Sequence, residues 1–202
     1  RDDPTTLDGA LSQISIAHPG SADLDEDIWF FRYQAPLEGH GKLMCGIALQ
    51  LGFKKNDQRS LKKEYPFDKQ MKIVQADGKL CIFFPAEKET TGLKFYINGP
   101  FASAIDRASV KHDHKGNRKI ILALSELVVS ALFELKKHKL LNSDVLALLP
   151  NNDDILPNFY EPIRARVHEA LTTEDLILTR SNSYSPAVDL VKGPKALSDI
   201  FS

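Results

Sequence analysis

Apolar residues follow a two-residue period through much of the first half of the chain and a helical period through the second. From Ile28 the runs IWFFRY, KLMCGIALQLGF, MKIVQ and KLCIFF read as half-buried or buried strands, and Leu93 to Asn98 reads as one more. Asp77-Gly78 between MKIVQ and KLCIFF predicts a tight hairpin, since Asp-Gly suits the turn that joins antiparallel strands. Before Ile28, Leu7, Leu11 and Ile14 recur at helical spacing behind Thr5 or Thr6, which predicts a short helix and then a turn-rich acidic stretch from His18 to Asp27.

After Arg107 the period changes. Ile120, Ile121, Leu124, Leu127, Val128, Ala131, Leu132 and Leu135 form one apolar stripe behind Asn117 as an N-cap. Lys136, Lys137, His138 and Lys139 then crowd its last turn, where the helix dipole favours cations. A second helix is expected from Ser143 as its cap to Pro150, and a third after Pro157 with Phe159, Ile163, Val167 and Leu171 on one face. LSDIF near the end predicts a final helix.

Sheet followed by helices predicts an α+β fold, a mostly antiparallel sheet with helices packed on one face. The expected organisation is an N-terminal extension over 1–27, an α+β domain over 28–150 and a helical C-terminal subdomain over 151–202. The chain begins on Arg1 rather than Met, as a fragment or processed product would.

Composition narrows the function classes. An apolar content of 43% and a charged content of 26% predict a packed globular core. A formal net charge of -1 gives no overall field toward polyanions or membranes, so neither nucleic acid nor a membrane is indicated as partner. Cys45 and Cys81 sit in apolar runs and read as small buried hydrophobes, which suits a reducing, cytoplasmic setting. The basic loop from Lys54 to Lys63 reads either as a solvated hairpin loop or as a contact for phosphate or an acidic partner through Lys54, Lys55, Arg59, Lys62 and Lys63.

Chemistry-bearing clusters are few. His112, Asp113 and His114 lie in KHDHKGN without an evident third metal ligand, among residues that read as an exposed turn. No Gly-rich phosphate loop is present, no metal site is assigned, and catalysis by this chain alone is not expected. A free-standing hydrolase using His112 and His114 is the least supported reading.

Residues 83–107, FFPAEKETTGLKFYINGPFASAIDR, carry the strongest pattern. Phe84, Pro85, Thr91, Gly92, Leu93, Phe95, Ile97, Asn98, Pro100, Phe101, Ser103 and Arg107 resemble the segment downstream of the ATP-binding domain in sacsin-like GHKL ATPases. The chain departs from that pattern with Lys94 where the family usually has Pro and Tyr96 where it often has His. The resemblance covers about residues 79–149 and implies a middle, transducer-like domain of the left-handed βαβ class, chaperone-like by analogy.

Its implied partners are a preceding GHKL ATP-binding domain and protein clients. It also implies ATP and Mg for the full-length protein, with no cofactor in this chain. Arg107 matches the family's Ser-x-x-Arg position and is the candidate phosphate sensor, with Lys94 and Arg118 as further candidates near it in sequence. The competing expectation for Arg107 is an ion pair with Asp106 or a cap on the following helix. A stand-alone protein-interaction module without a nucleotide link is the alternative function.

Overall fold

The computed structural model describes residues 11–16, 26–39, 43–55 and 60–190, with side chains described from residue 28 onward. Strands β1 (Leu11–Ile16), β2 (Glu26–Pro36) and β3 (Met44–Phe53) form an antiparallel meander. Helix α1 (Phe67–Gln70) leads into β4 (Met71–Ile73), and β5 (Leu80–Cys81) and β6 (Tyr96–Asn98) complete a six-stranded sheet. Its order is β1-β2-β3-β6-β5, with β4 also on β3. β3 pairs antiparallel with β6 through Gly46–Ala48 and with β4 through Leu51–Phe53. Only β5 and β6 are parallel within this sheet.

The remaining elements are α2 (Lys115–Lys137), α3 (Ser143–Leu146), α4 (Glu161–Thr173), and a hairpin of β7 (Ile177–Leu178) and β8 (Tyr184–Ser185). The fold is therefore mixed α+β with a mostly antiparallel sheet. Period-two patterning explains its packed face. Cys45, Ile47, Leu49 and Leu51 are buried in β3, and Phe31 and Trp29 of β2 lie opposite Leu49 and Leu51. All eight stripe residues of α2 are buried, and α2 packs on β2, β3 and α4.

Several expectations change. Leu11–Ile16 is a strand on the edge of the sheet, not a helix: Leu11 and Ile14 fit helical spacing, but pairing with β2 satisfies the backbone groups on the facing sides of the two strands. The proposed extension over 1–27 therefore contributes to the sheet. Asp77-Gly78 does not join a hairpin, because β4 pairs with β3 and β5 with β6. Gly78 instead lies against residues 93–95, where a Cβ would collide with the carbonyls of Leu93 and Phe95.

Asn117 lies inside α2 and His114 occupies the cap position, while Asn142 rather than Ser143 caps α3 by accepting from the amides of Asp144 and Val145. Residues 82–95, which join the parallel strands, contain no helix, and α2 follows the last strand of the large sheet. Tyr160, Ile163 and Val167 of the third helical region belong to the same core as the sheet, across the expected boundary at residue 150. Leu7, Arg59, most of the acidic stretch and LSDIF lie outside the described residues.

Cys45 is buried and Cys81 half-buried, and both are free thiols. Burial pushes the Cys45 thiol up to about 11. No helix of the described residues is long and apolar enough to cross a membrane.

Candidate functional site

Parallel pairing sends two loops out of one end of the sheet. Because Cys81 of β5 is in register with Asn98 of β6, residues 82–85 and 99–110 depart from the same side. The Asn98 amide ties them together, donating to the carbonyls of Cys81 and Ile82 at 3.3 and 3.2 Å. In the first loop the Ile82 amide donates to Phe84, leaving Phe83 and Phe84 92% and 83% exposed. Two adjacent phenylalanines so exposed are unusual for a surface that meets only water.

The second loop is a small hairpin. Pro100 and buried Phe101 lead into it, Ser103 bridges Val110, and the Lys111 and Ala104 amides donate to Ala102 and Ser109. At its tip Ile105 is 100% exposed, and Arg107 is exposed with a φ of 57° in the left-handed region. The Arg107 amide donates to Ala104 at 3.0 Å, which closes the turn.

Three neighbours brace this hairpin. Asn117 is buried in the first turns of α2; it accepts from the Ala102 amide at 2.7 Å and donates to the carbonyls of Ala102 and Lys111 at 2.8 and 2.9 Å. Lys88 donates from its amide to Ala108 and from its ammonium to Asp106, 2.8 Å away. The hydrogen bond from Lys88 holds the Asp106 carboxyl below its usual range. Glu89, with a side chain only 4% exposed, accepts from the Val110 amide, from the Tyr160 hydroxyl at 2.7 Å and from His112 Nε2 at 2.6 Å. Burial, and then the Glu89 carboxylate, push the Tyr160 hydroxyl far up, so it remains a donor.

The expected Arg107–Asp106 ion pair is absent, since Asp106 is held by Lys88. Among the described residues, the Arg107 guanidinium has no hydrogen-bonding or ionic partner. Lys94 is elsewhere: its ammonium pairs with Asp154 at 2.9 Å and points to the Ala147 carbonyl at 3.4 Å. Arg118 is exposed on the first turn of α2, with Nε 3.4 Å from the His112 carbonyl. It lines an open, largely apolar groove of about 650 Å³ beside His112, Ile121, Leu122, Phe159 and Pro162. The His112 ring stacks parallel on Phe159 at 4.3 Å. Thus the three candidate cations are not gathered around one site: Lys94 is engaged in a structural pair, Arg118 borders the groove, and Arg107 alone stands at the hairpin tip.

The rest of the motif is architectural. Thr91 is buried, donates to the Gly78 carbonyl and accepts from the Leu93 amide. Leu93, Phe95 and Phe101 fill the core. Gly92 has a φ of 71° against the backbone of Ile155. Pro85 forms an isolated bridge with Cys81. Sequence reasoning misses Glu89, Lys88 and Tyr160, because their roles arise from contacts between segments distant along the chain.

Chemically, the two loops at this sheet end present the Arg107 guanidinium, without a partner among the described residues, and the exposed apolar side chains of Phe83, Phe84 and Ile105. Among the described residues, no group of three or more His, Cys, Asp or Glu could hold a metal ion. A guanidinium can neutralise the charge of one phosphate. No family model, curated protein or solved structure matches the chain.

Proposed function

We propose that this chain is the middle, transducer-like domain of a sacsin-like GHKL ATPase, in which the 103–110 hairpin meets the nucleotide domain and Arg107 contacts the terminal phosphate. The observation that carries this reading is an exposed Arg107 without a carboxylate partner among the described residues, on a hairpin braced by Asn117, Lys88 and Glu89. A guanidinium contributes most where water is excluded and its geometry is set beforehand. Phe83, Phe84 and Ile105 would exclude water when covered by the neighbouring domain.

ATP and Mg belong to that neighbouring domain, and this chain supplies the cation and the moving body. The work is coupling, with a chaperone-like task and protein clients by analogy and a cytoplasmic setting. Support comes from the hairpin rather than from a left-handed βαβ crossover, because residues 82–95 hold no helix.

ATP turnover of the purified nucleotide domain, measured alone and with this chain added, tests the reading. The chain should raise turnover. Arg107→Ala should remove the gain by about tenfold or more, within the range for a single transition-state donor, while the melting temperature stays unchanged. Equal turnover with and without the chain would sink the nucleotide link. The exposed Phe83, Phe84 and Ile105 also favour the alternative of an interaction module without nucleotide. That reading predicts a complex that is lost in a Phe83→Ser/Phe84→Ser variant and is indifferent to both nucleotide and Arg107→Ala.

A further inference from the structure

Two lysine-bearing regions far apart in sequence meet in space. Lys54, just after β3, and Lys69 of α1 line one open groove of about 870 Å³ with Lys136, Lys137 and Lys139 at the C-terminal end of α2. Asp68 is the only acidic side chain among the described lining residues. In a chain of formal net charge -1, five lysines against one aspartate make this a local concentration of positive charge.

Ordinary helix chemistry covers only part of it. Lys136 and Lys137 offset the partial negative charge at the end of α2, and Lys137 is paired with Glu134 at 2.7 Å. Lys69 is 3.5 Å from Asp68. Lys54 and Lys139 have no ionic or hydrogen-bonding partner for their ammonium groups among the described residues.

Lys139 also has a φ of 57° immediately after the cap residue His138, where glycine would avoid the steric cost of a Cβ. Lys136 is set in place: its ammonium donates to the Asp175 carbonyl at 2.6 Å and lies 4.8 Å from the centre of the Tyr184 ring. One carbonyl occupies one of its N–H groups and leaves others to donate.

We propose that this groove binds a compact ligand carrying two or more phosphates. Like charges converging on one concavity call for a multiply charged anion, and ammonium point charges suit phosphate oxygens without the planar match an arginine fork requires. The volume lies in the range of small-ligand sites, whereas an extended acidic peptide would be matched by a longer basic strip. Phe133 and Leu141 provide an apolar wall for an organic part of the ligand. The site is independent of Arg107 and of the function proposed above.

Calorimetric titration of inorganic tripolyphosphate into the 202-residue chain at fixed ionic strength provides the test. Saturable one-site binding is expected, weakened by about tenfold or more in Lys54→Gln/Lys139→Gln and unchanged in Lys55→Gln, an exposed neighbour outside the groove. Lys139→Gly should weaken binding while the melting temperature holds or rises, which separates ligand contact from folding. No saturable binding, or equal affinity in the double variant, overturns the site. Tighter lysine-dependent binding of a Glu-rich peptide than of tripolyphosphate overturns the ligand class.

Discussion

Gly92 shows how a residue can be legible as part of a motif while its physical task stays hidden. Thr-Gly-Leu marks the resemblance, but what fixes the glycine here is a φ of 71° together with the Ile155 carbonyl where a Cβ would sit. Gly92→Ala should therefore cost about 2 kcal/mol or more, combining left-handed strain with displacement of the 155 backbone. Urea unfolding at neutral pH measures it, and a change below about 0.5 kcal/mol would show that the loop yields freely. Gly78 carries the opposite lesson. Asp-Gly is a sound local hairpin signal, yet the close passage of residues 93–95 required glycine there, and no local pattern reports a long-range approach.

At the level of elements, α2 was readable because its stripe persists over several turns, and every residue of that stripe is buried. β1 was not, because its short segment fits two periods and pairing with β2 decides between them. In the sequence the hairpin that carries Arg107 is marked only by the 83–107 pattern; one of its braces is Asn117, whose position suggested a cap but whose amide reaches back to Ala102 and Lys111. Asn117→Ala leaves those groups without their partner and should destabilise the chain by about 3 kcal/mol. Hydrogen exchange should accelerate most at the Ala102 amide, which loses its acceptor. Uniform acceleration across the sheet, with no excess at the hairpin, would mean that Asn117 supports the core rather than the hairpin.

For the whole molecule, the expected boundary at residue 150 is crossed by several contacts, among them Lys94 with Asp154, Gly92 against Ile155, and Glu89 with Tyr160. These make the sheet and α4 one cooperative body, so unfolding followed at Trp29 in β2 and by helix content should share a midpoint. The Lys94–Asp154 pair gives this linkage a pH signature. Burial pushes the Asp154 carboxyl up, but the Lys94 hydrogen bond, the Asn151 amide and the nearby Lys94 and Arg164 charges outweigh it and leave the group below its ordinary value of 3.8. A lowered folded-state value means that the stabilisation is complete above the ordinary carboxylate range and is lost as pH falls through the folded value. Lys94→Met should thus cost about 1 kcal/mol at pH 7, since both side chains are less than a quarter exposed, and the gap from the parent chain should narrow as the pH drops below about 4. Denaturation midpoints measured at pH 7, 5 and 3 decide it: a gap that stays constant across that range would mean that Lys94 acts through the packing of its stem, with its charge contributing nothing to the join.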